Sequence, residues 1–437
     1  MQYKNGTLSF SASDLTVYLD SPFASWMDRY ALESPSIDIE PDEIDSMVQL
    51  LFDKGYKHEE QVETELRQEA DSYIRIDGAD EAEKIANTRS AMASGVGLIT
   101  QACLQLGEFF GYADFLVKVE GKSDLGDHHY QVWDAKLSKT AKPSHALQLC
   151  LYADMLEEIQ GTRPKEVVVV LGSGERHAIP LSECFAYYQT VRDDFLAFHA
   201  AFDPDRMPDP ADFKSWGRWS GYAKEALLAR DHLFQVAGIT RDQITKLNRV
   251  GVETMSELAA TDIEKVSGIG QPVYERLKAQ AAIQCESSGR EIPAYRLLTP
   301  APGERKGLAL LPPHSDLDVF FDIEGYPLDD GGLEYLWGCT YFEAPGKRAF
   351  RDFWAHDSEE EKRAFKAFIE WVYARWLDDP AMHIYHYASY EITACRKLMN
   401  RYGICEHEVD QLLRNEVFVD LYKVVKGGLL LGEPRYS

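Results

Sequence analysis

Between residues 109 and 171 the chain changes its hydrophobic period twice, and that order restricts the folds open to it. Phe109 to Val119 and His129 to Leu137 read as strands, Ser144 to Gln160 repeats as an amphipathic helix, and Glu166 to Leu171 is a β-branched run. Helix, strand, strand, helix and strand in that order fit an α/β core. A short strand from His177 to Leu181 is expected to follow, with helical stretches upstream at 8–32 and from Met47 to Leu66. Charged residues stand out against this apolar pattern. Asp114 closes Gly111-Tyr112-Ala113-Asp114 on the first strand, and Asp134-Ala135-Lys136 ends the second. A carboxylate on an apolar strand needs a partner or a metal, because burying it alone is costly. Asp134 and Lys136 are two residues apart and so share a face. Two aspartates suit Mg²⁺ or Mn²⁺, and a lysine beside them can orient or activate a water. An Asp114–Lys136 structural ion pair is the competing reading. Gln148 and Tyr152, four apart on the next helix, can contact the lysine, the metal's surroundings or a bound backbone.

A second group of carboxylates lies downstream. Asp322-Ile323-Glu324 puts two on one face of a strand-like run, with Glu391 at a strand-to-helix junction and Asp420 on a later strand. Between the two groups, 231–283 is helical and polar, and Gly268-Ile269-Gly270 falls between two short helices. The hairpin's N–H groups could meet a phosphate there without reading sequence. Segments 203–220 and 297–314, rich in proline, are expected as linkers. The chain is thus an α/β multidomain protein with domains at 1–205, 221–295 and 316–437.

The net charge of −26 argues against a general nucleic-acid coat, whose binding rests on cations neutralising phosphates. It is uneven: −18 over 1–220, zero over 221–300 and −8 over 301–437. Lys139 and Lys142, next to Lys136, make 131–150 locally +2 and are candidate DNA contacts. Seven cysteines without a Cys-x-x-Cys spacing indicate neither a zinc site nor a disulfide framework. With no apolar signal core and no stretch long enough to span a bilayer, a cytoplasmic protein away from membranes is expected.

Ser11-Ala12-Ser13-Asp14-Leu15, Gly55-x-x-His58-Glu59, Gly111-x-x-Asp114-Phe115-Leu116, Asp134-Ala135-Lys136 and Gln148-x-x-x-Tyr152 together resemble the RecB-like PD-(D/E)XK nuclease family. The resemblance runs along the whole chain. It implies a restriction-endonuclease-like α/β core, a helix-hairpin-helix-like middle segment and a C-terminal RNase H-like domain of DEDD type, often with a helicase behind. Asp114, Asp134, Lys136, Gln148 and Tyr152 would then be catalytic, with His58 joining Asp114 and Asp134 as metal ligands and Glu59 and Glu63 as alternatives. Asp322, Glu324, Glu391 and Asp420 would form a second site, Glu391 standing where that type carries aspartate. DNA ends or single strands, in repair, recombination or defence, are the implied substrates. Some relatives bind an iron–sulfur cluster through four cysteines. Here Ser21-Pro22 replaces the Cys-Pro of many relatives and no cysteine precedes Cys103, so no cluster is expected. DEDD enzymes also need a final carboxylate on a later helix. Its lack before Ser437 gives the expectation of a truncated, or else degenerate, C-terminal domain. Two alternatives stand beside the first: a non-catalytic binding or assembly module of a helicase–nuclease, and an exonuclease using the RNase H-like half.

Overall fold

Ser21-Pro22 splits the first helical stretch in two. α1 (Ala12–Asp20) stops there and α2 (Pro22–Glu33) begins, with Ser21 Oγ accepting from the Ala24 N–H at 3.1 Å. Proline has no N–H to lose in a first turn. The computed structural model describes residues 1–4, 7–34, 39–329, 331–344 and 346–436, which fall into two units, Met1–Ala226 and Leu227–Ser437.

In the first unit, a hairpin of β1 (Gln2–Lys4) and β2 (Thr7–Ser9) precedes α1. After α2 come α3 (Ser46–Glu69), β3 (Tyr73–Arg75), α4 (Glu81–Ala93), β4 (Leu98–Leu106), β5 (Phe109–Ser123) and β6 (Gly126–Lys136). α5 (Pro143–Gln160), β7 (Glu166–Leu171), β8 (Arg176–Pro180) and α6 (Leu181–Ala200) complete it. β3 to β8 make one sheet in sequence order. β4, β5 and β6 are antiparallel neighbours, whereas β6 and β7 run parallel, with Asp134 beside Val169 and Lys136 beside Leu171. A parallel step requires a crossover, and α5 supplies it. The amphipathic reading of α5 needs correction. Leu147, Leu149, Leu151, Ala153 and Met155 bury its circumference, because the sheet lies on one side and α1 and α6 on the other. The supposed linker 203–220 is also packed. Trp216 and Trp219 are buried there, and Trp219 Nε1 donates to Asp28 Oδ1 at 2.8 Å.

After α7 (Ser220–Ala229), the second unit opens with α8 (Arg241–Asn248), α9 (Met255–Ala260) and α10 (Gln271–Ser287). Thr240 with Gln243, and Thr254 with Glu257, form capping boxes on α8 and α9. Leu233, Leu247, Leu258, Ile269 and Leu277 make a small core beneath them. β9 (Tyr295–Leu297) precedes β10 (Val319–Tyr326), β11 (Leu333–Ala344) and β12 (Lys347–Trp354), which are antiparallel. After α11 (Ser358–Asp378), β13 (Ile384–His386) joins β10 in parallel; α12 (Tyr390–Tyr402), α13 (Glu406–Arg414), β14 (Phe418–Asp420) and α14 (Leu421–Gly428) follow. The sheet order is β12-β11-β10-β13-β14. Phe321, Ile323 and Trp337 pack with Phe365 and Phe368 of α11, while Phe320, Asp322 and Glu324 remain exposed.

Segment 297–314 is likewise no free linker. β15 (Leu429–Leu431) pairs with β9, and the Leu298 N–H donates to Gly428 O at 2.7 Å. Gly307 approaches the end of α14 so closely that a Cβ on it would lie 2.5 Å from Gly428 Cα.

Candidate active site

The two-residue period of β6 brings Asp134 and Lys136 together: Lys136 Nζ lies 2.7 Å from Asp134 Oδ2. This is a buried ion pair, and Lys136 is the one polar partner of Oδ2 among the described residues. Lys136 therefore pairs with Asp134, not with Asp114. Asp134 Oδ1 faces Gln148 Nε2 of α5 at 3.4 Å. On β5, Asp114 Oδ2 accepts from the Ala135 N–H at 3.2 Å. Strand alternation breaks around Asp114, since Ala113 and Leu116 belong to one core and Phe115 to another.

Gln101 of β4, between the pairs Thr100–Phe115 and Ala102–Ala113, has φ of 52°. A non-glycine residue held there costs on the order of 1–3 kcal/mol, and such strain gathers at functional sites. Its Nε2 donates to Glu59 Oε1 at 2.6 Å, fixing a carboxylate of α3 beside the sheet. His58, the neighbouring candidate, has Nε2 3.3 Å from Val170 O. Glu63 is engaged by Tyr73 Oη at 2.5 Å and Arg75 at 2.6 Å. Tyr152 is buried one turn beyond Gln148, and a Cβ on Gly111 would sit 2.9 Å from its Oη. The motif glycine thus leaves room for the motif tyrosine.

Electrostatics tie these groups together. Burial raises the Asp114 pKa well above the carboxylate range, and Asp134 and Glu59 add to it against Lys136. Burial also raises Glu59, with Asp134 contributing. For Lys136, burial works against the charge, but Asp134, Asp114 and Glu59 outweigh it and raise the pKa. The Tyr152 hydroxyl is pushed up by burial and then by Asp114 and Asp134. His145, three residues before Gln148, is lowered by burial and by Lys136, with Asp134 opposing. Three carboxylates thus act on one another around one lysine.

Among the described residues, no group of three or more His, Cys, Asp or Glu side chains converges to hold a metal. Mg²⁺ does not require one, since it often uses one or two carboxylates with waters and substrate phosphate oxygens. The buried Asp134 carboxylate, with the Asp114 charge acting on it, fits such a cation. Gln101 and His145 join the predicted set, in which Glu59 stood as an alternative to His58. No sequence signal marks a positive φ at Gln101, whereas His145 stands i,i+3 from Gln148 and could have been read from that spacing.

The downstream carboxylates are dispersed differently. Asp322 and Glu324 share the exposed face of β10, as their spacing requires. Glu391 is buried, its Oε2 without a hydrogen bond and 3.4 Å from His386 Nδ1. Asp420 caps α14, its Oδ1 accepting from the N–H groups of Tyr422 at 3.0 Å and Ala388 at 3.1 Å. Glu334, absent from the sequence reading, accepts from Tyr390 at 2.7 Å and Lys397 at 3.2 Å. Tyr390 is pushed up by burial, then by Glu334, with Glu324 and Glu391 adding. In the helical segment, Gly268 has φ of 82° and its carbonyl accepts from Lys246 Nζ at 3.0 Å, while Gly270 is the N-cap of α10. Lys139 and Lys142 are exposed between β6 and α5.

The five-stranded sheet with its helices, and with Asp322 and Glu324 on the exposed face of β10, makes an α/β domain. Residues 319–435 match the RNase_H_2 family model of the RNase_H superfamily, so this part of the chain is an RNase H-like domain. Domains of that class belong to nucleases, hydrolases that act on nucleic acids generally with divalent metals such as Mg²⁺. No curated protein matches the chain. No helix among the described residues is long and apolar enough to cross a membrane.

Proposed function

We propose that the chain is a Mg²⁺- or Mn²⁺-dependent nuclease of RecB-like PD-(D/E)XK type that hydrolyses DNA at ends or in single strands, with its chemistry in the first unit. The observation that carries this reading is the buried Asp134, paired with Lys136 at 2.7 Å, beside an Asp114 whose charge is opposed by two more carboxylates. Asp114 and Asp134 would hold the metal, with Glu59 a better-placed third group than His58. The bound metal would lower the pKa of a water and neutralise charge developing on the phosphate. Lys136 holds the nucleophile or a phosphate oxygen in register with Asp134. Gln148 orients Asp134, and Tyr152 walls the site where Gly111 leaves space. Gly268, Gly270, Lys139 and Lys142 would steady the DNA backbone. Domains at 1–205, 221–295 and 316–437, a helicase partner, a cytoplasmic location and a role in repair, recombination or defence belong to the same proposal.

A second reading places the cutting in the RNase H-like domain. The superfamily match and the open face bearing Asp322 and Glu324 favour it. The burial of Glu391 and the capping role of Asp420 weigh against a four-carboxylate site. Thermal melting with Mn²⁺ or EDTA separates the two. At a hundredfold excess over Kd, a bound ion adds about 2.7 kcal/mol. That gain should be present in the wild type, lost in Asp114→Asn and kept in Asp322→Asn. The reverse pattern overturns the first reading.

A further inference from the structure

Within the second unit, a cleft of about 480 Å³ opens at the first turns of α10, directly after Gly270. Arg276, Lys306, Lys426 and Arg435 line it together with Tyr422 and Tyr436, and no carboxylate lines it. In a chain with 72 acidic and 46 basic residues, four cations gathered without an acid need a reason. None of the four is ion-paired among the described residues, although neighbouring cations are: Lys423 with Asp420, and Arg305 with Glu416. Arg276 donates to the Lys426 carbonyl, and Lys426 Nζ lies 5.3 Å from the centroid of the Tyr422 ring. The hydroxyl of Tyr436 is held by Gln280 Oε1 at 2.8 Å and Leu429 O at 3.2 Å, which fixes its ring as part of the wall. A second cavity of about 350 Å³ shares Pro272, Arg276 and Lys306, so the cleft continues as a groove. Glu275 and Glu304 enter only in that second part, and Glu304 is turned to the Ala301 N–H at 3.3 Å.

Unpaired cations facing one another across a concave surface are a site for an anion, and a groove of this length suits a chain of them. We infer that this cleft binds the phosphodiester backbone of a single nucleic-acid strand, gripping it through Arg276, Lys306, Lys426 and Arg435. A duplex is too wide to enter a cavity of this size. Single-strand grooves combine cations with aromatic walls, and Tyr422 and Tyr436 provide the walls here. Contact is to phosphate, so the cleft holds strands of any sequence. The inference rests on the reading of the chain as acting on nucleic acid, but it does not depend on where the cutting occurs.

The test is fluorescence anisotropy of a labelled dT₂₀ oligonucleotide with the full chain in EDTA, so that no cleavage can occur. Binding should weaken about tenfold or more in Lys426→Ala/Arg435→Ala, and the log–log salt slope should become shallower by roughly 1.4, at about 0.7 per phosphate contact on a single strand. Both side chains are exposed, and the single variant Lys306→Ala gives an independent reading should the double variant melt early. Unchanged affinity and slope in the double variant and in Lys306→Ala overturn the proposal. So does a wild type that does not bind dT₂₀ at low salt, or one in which only Lys139→Ala/Lys142→Ala weakens binding. Binding is read in EDTA and cutting separately with Mg²⁺, so loss of the cleft and loss of cutting are told apart.

Discussion

Gly111→Ala is the substitution whose cost can best be worked out from the geometry. Gly111 has no positive φ, so alanine meets no backbone strain, and in a strand the exchange would ordinarily gain about 0.5–1 kcal/mol. The new Cβ, however, would stand 2.9 Å from Tyr152 Oη and 3.0 Å from its Cε1. Carbon pairs rest at roughly 3.5–4.0 Å, so the ring must move by about 0.5 Å or the strand must yield. Tyr152 is buried on a helix packed on both sides, and overpacking of that kind costs about 1–3 kcal/mol. The net expectation is a loss of about 1–2 kcal/mol. That corresponds to a fall in Tm of roughly 2–8 °C for a unit of this size. Urea unfolding of Gly111→Ala, Tyr152→Leu and the double variant makes the assay a cycle. The double variant should recover most of the alanine's cost, because the clashing ring is gone. A neutral or stabilising Gly111→Ala, or strict additivity in the cycle, would refute the placement of Tyr152 against β5.

Further outcomes follow from other contacts. Gly55→Ala in α3 meets nothing closer than Leu137 Cδ1 at 4.0 Å, so it should stabilise by about 1 kcal/mol, measured in the same urea series. Trp219→Ala should cost about 3–5 kcal/mol if 203–220 is part of the first unit's core, and a loss under about 1 kcal/mol would return that segment to linker status. In EDTA the folded Asp114 binds its proton more tightly than the unfolded chain does. Its charge therefore destabilises the fold as pH rises from the ordinary carboxylate range through the raised folded value. Asp114→Asn should melt higher than the wild type at neutral pH, with the difference closing as pH falls toward 4; parallel melting curves across that range contradict it.

Much of the first site was legible because short-range geometry is rigid. Asp134 and Lys136 had to share a face of a strand, as did Asp322 and Glu324, and Gln148 and Tyr152 had to share a helix face. What the residues could not state was which side of α3 turns inward. His58 and Glu59 both flank Val62 and Leu66, the buried residues of that helix, and their partners, Val170 O for one and Gln101 for the other, distinguish them. β4 escaped notice because Gln101 breaks its alternation, and α4 because it buries only Thr88, Ala91 and Met92. The proline-rich segments read as linkers by composition, yet Trp216 and Trp219 were the apolar anchors that should have marked the first as packed. Glu391 could be placed at a strand-to-helix junction, but its burial depends on how α12 packs against β10 and α11, elements earlier in the chain.

The most direct measurement is cleavage of end-labelled single- and double-stranded DNA with Mg²⁺ or Mn²⁺ by the wild type, Asp134→Ala, Lys136→Ala and Asp322→Ala/Glu324→Ala. The account predicts loss of at least about a hundredfold in each of the first two variants, with cutting retained in the third. Cutting that survives in Asp134→Ala and Lys136→Ala but vanishes in Asp322→Ala/Glu324→Ala would contradict it and move the chemistry to the RNase H-like domain.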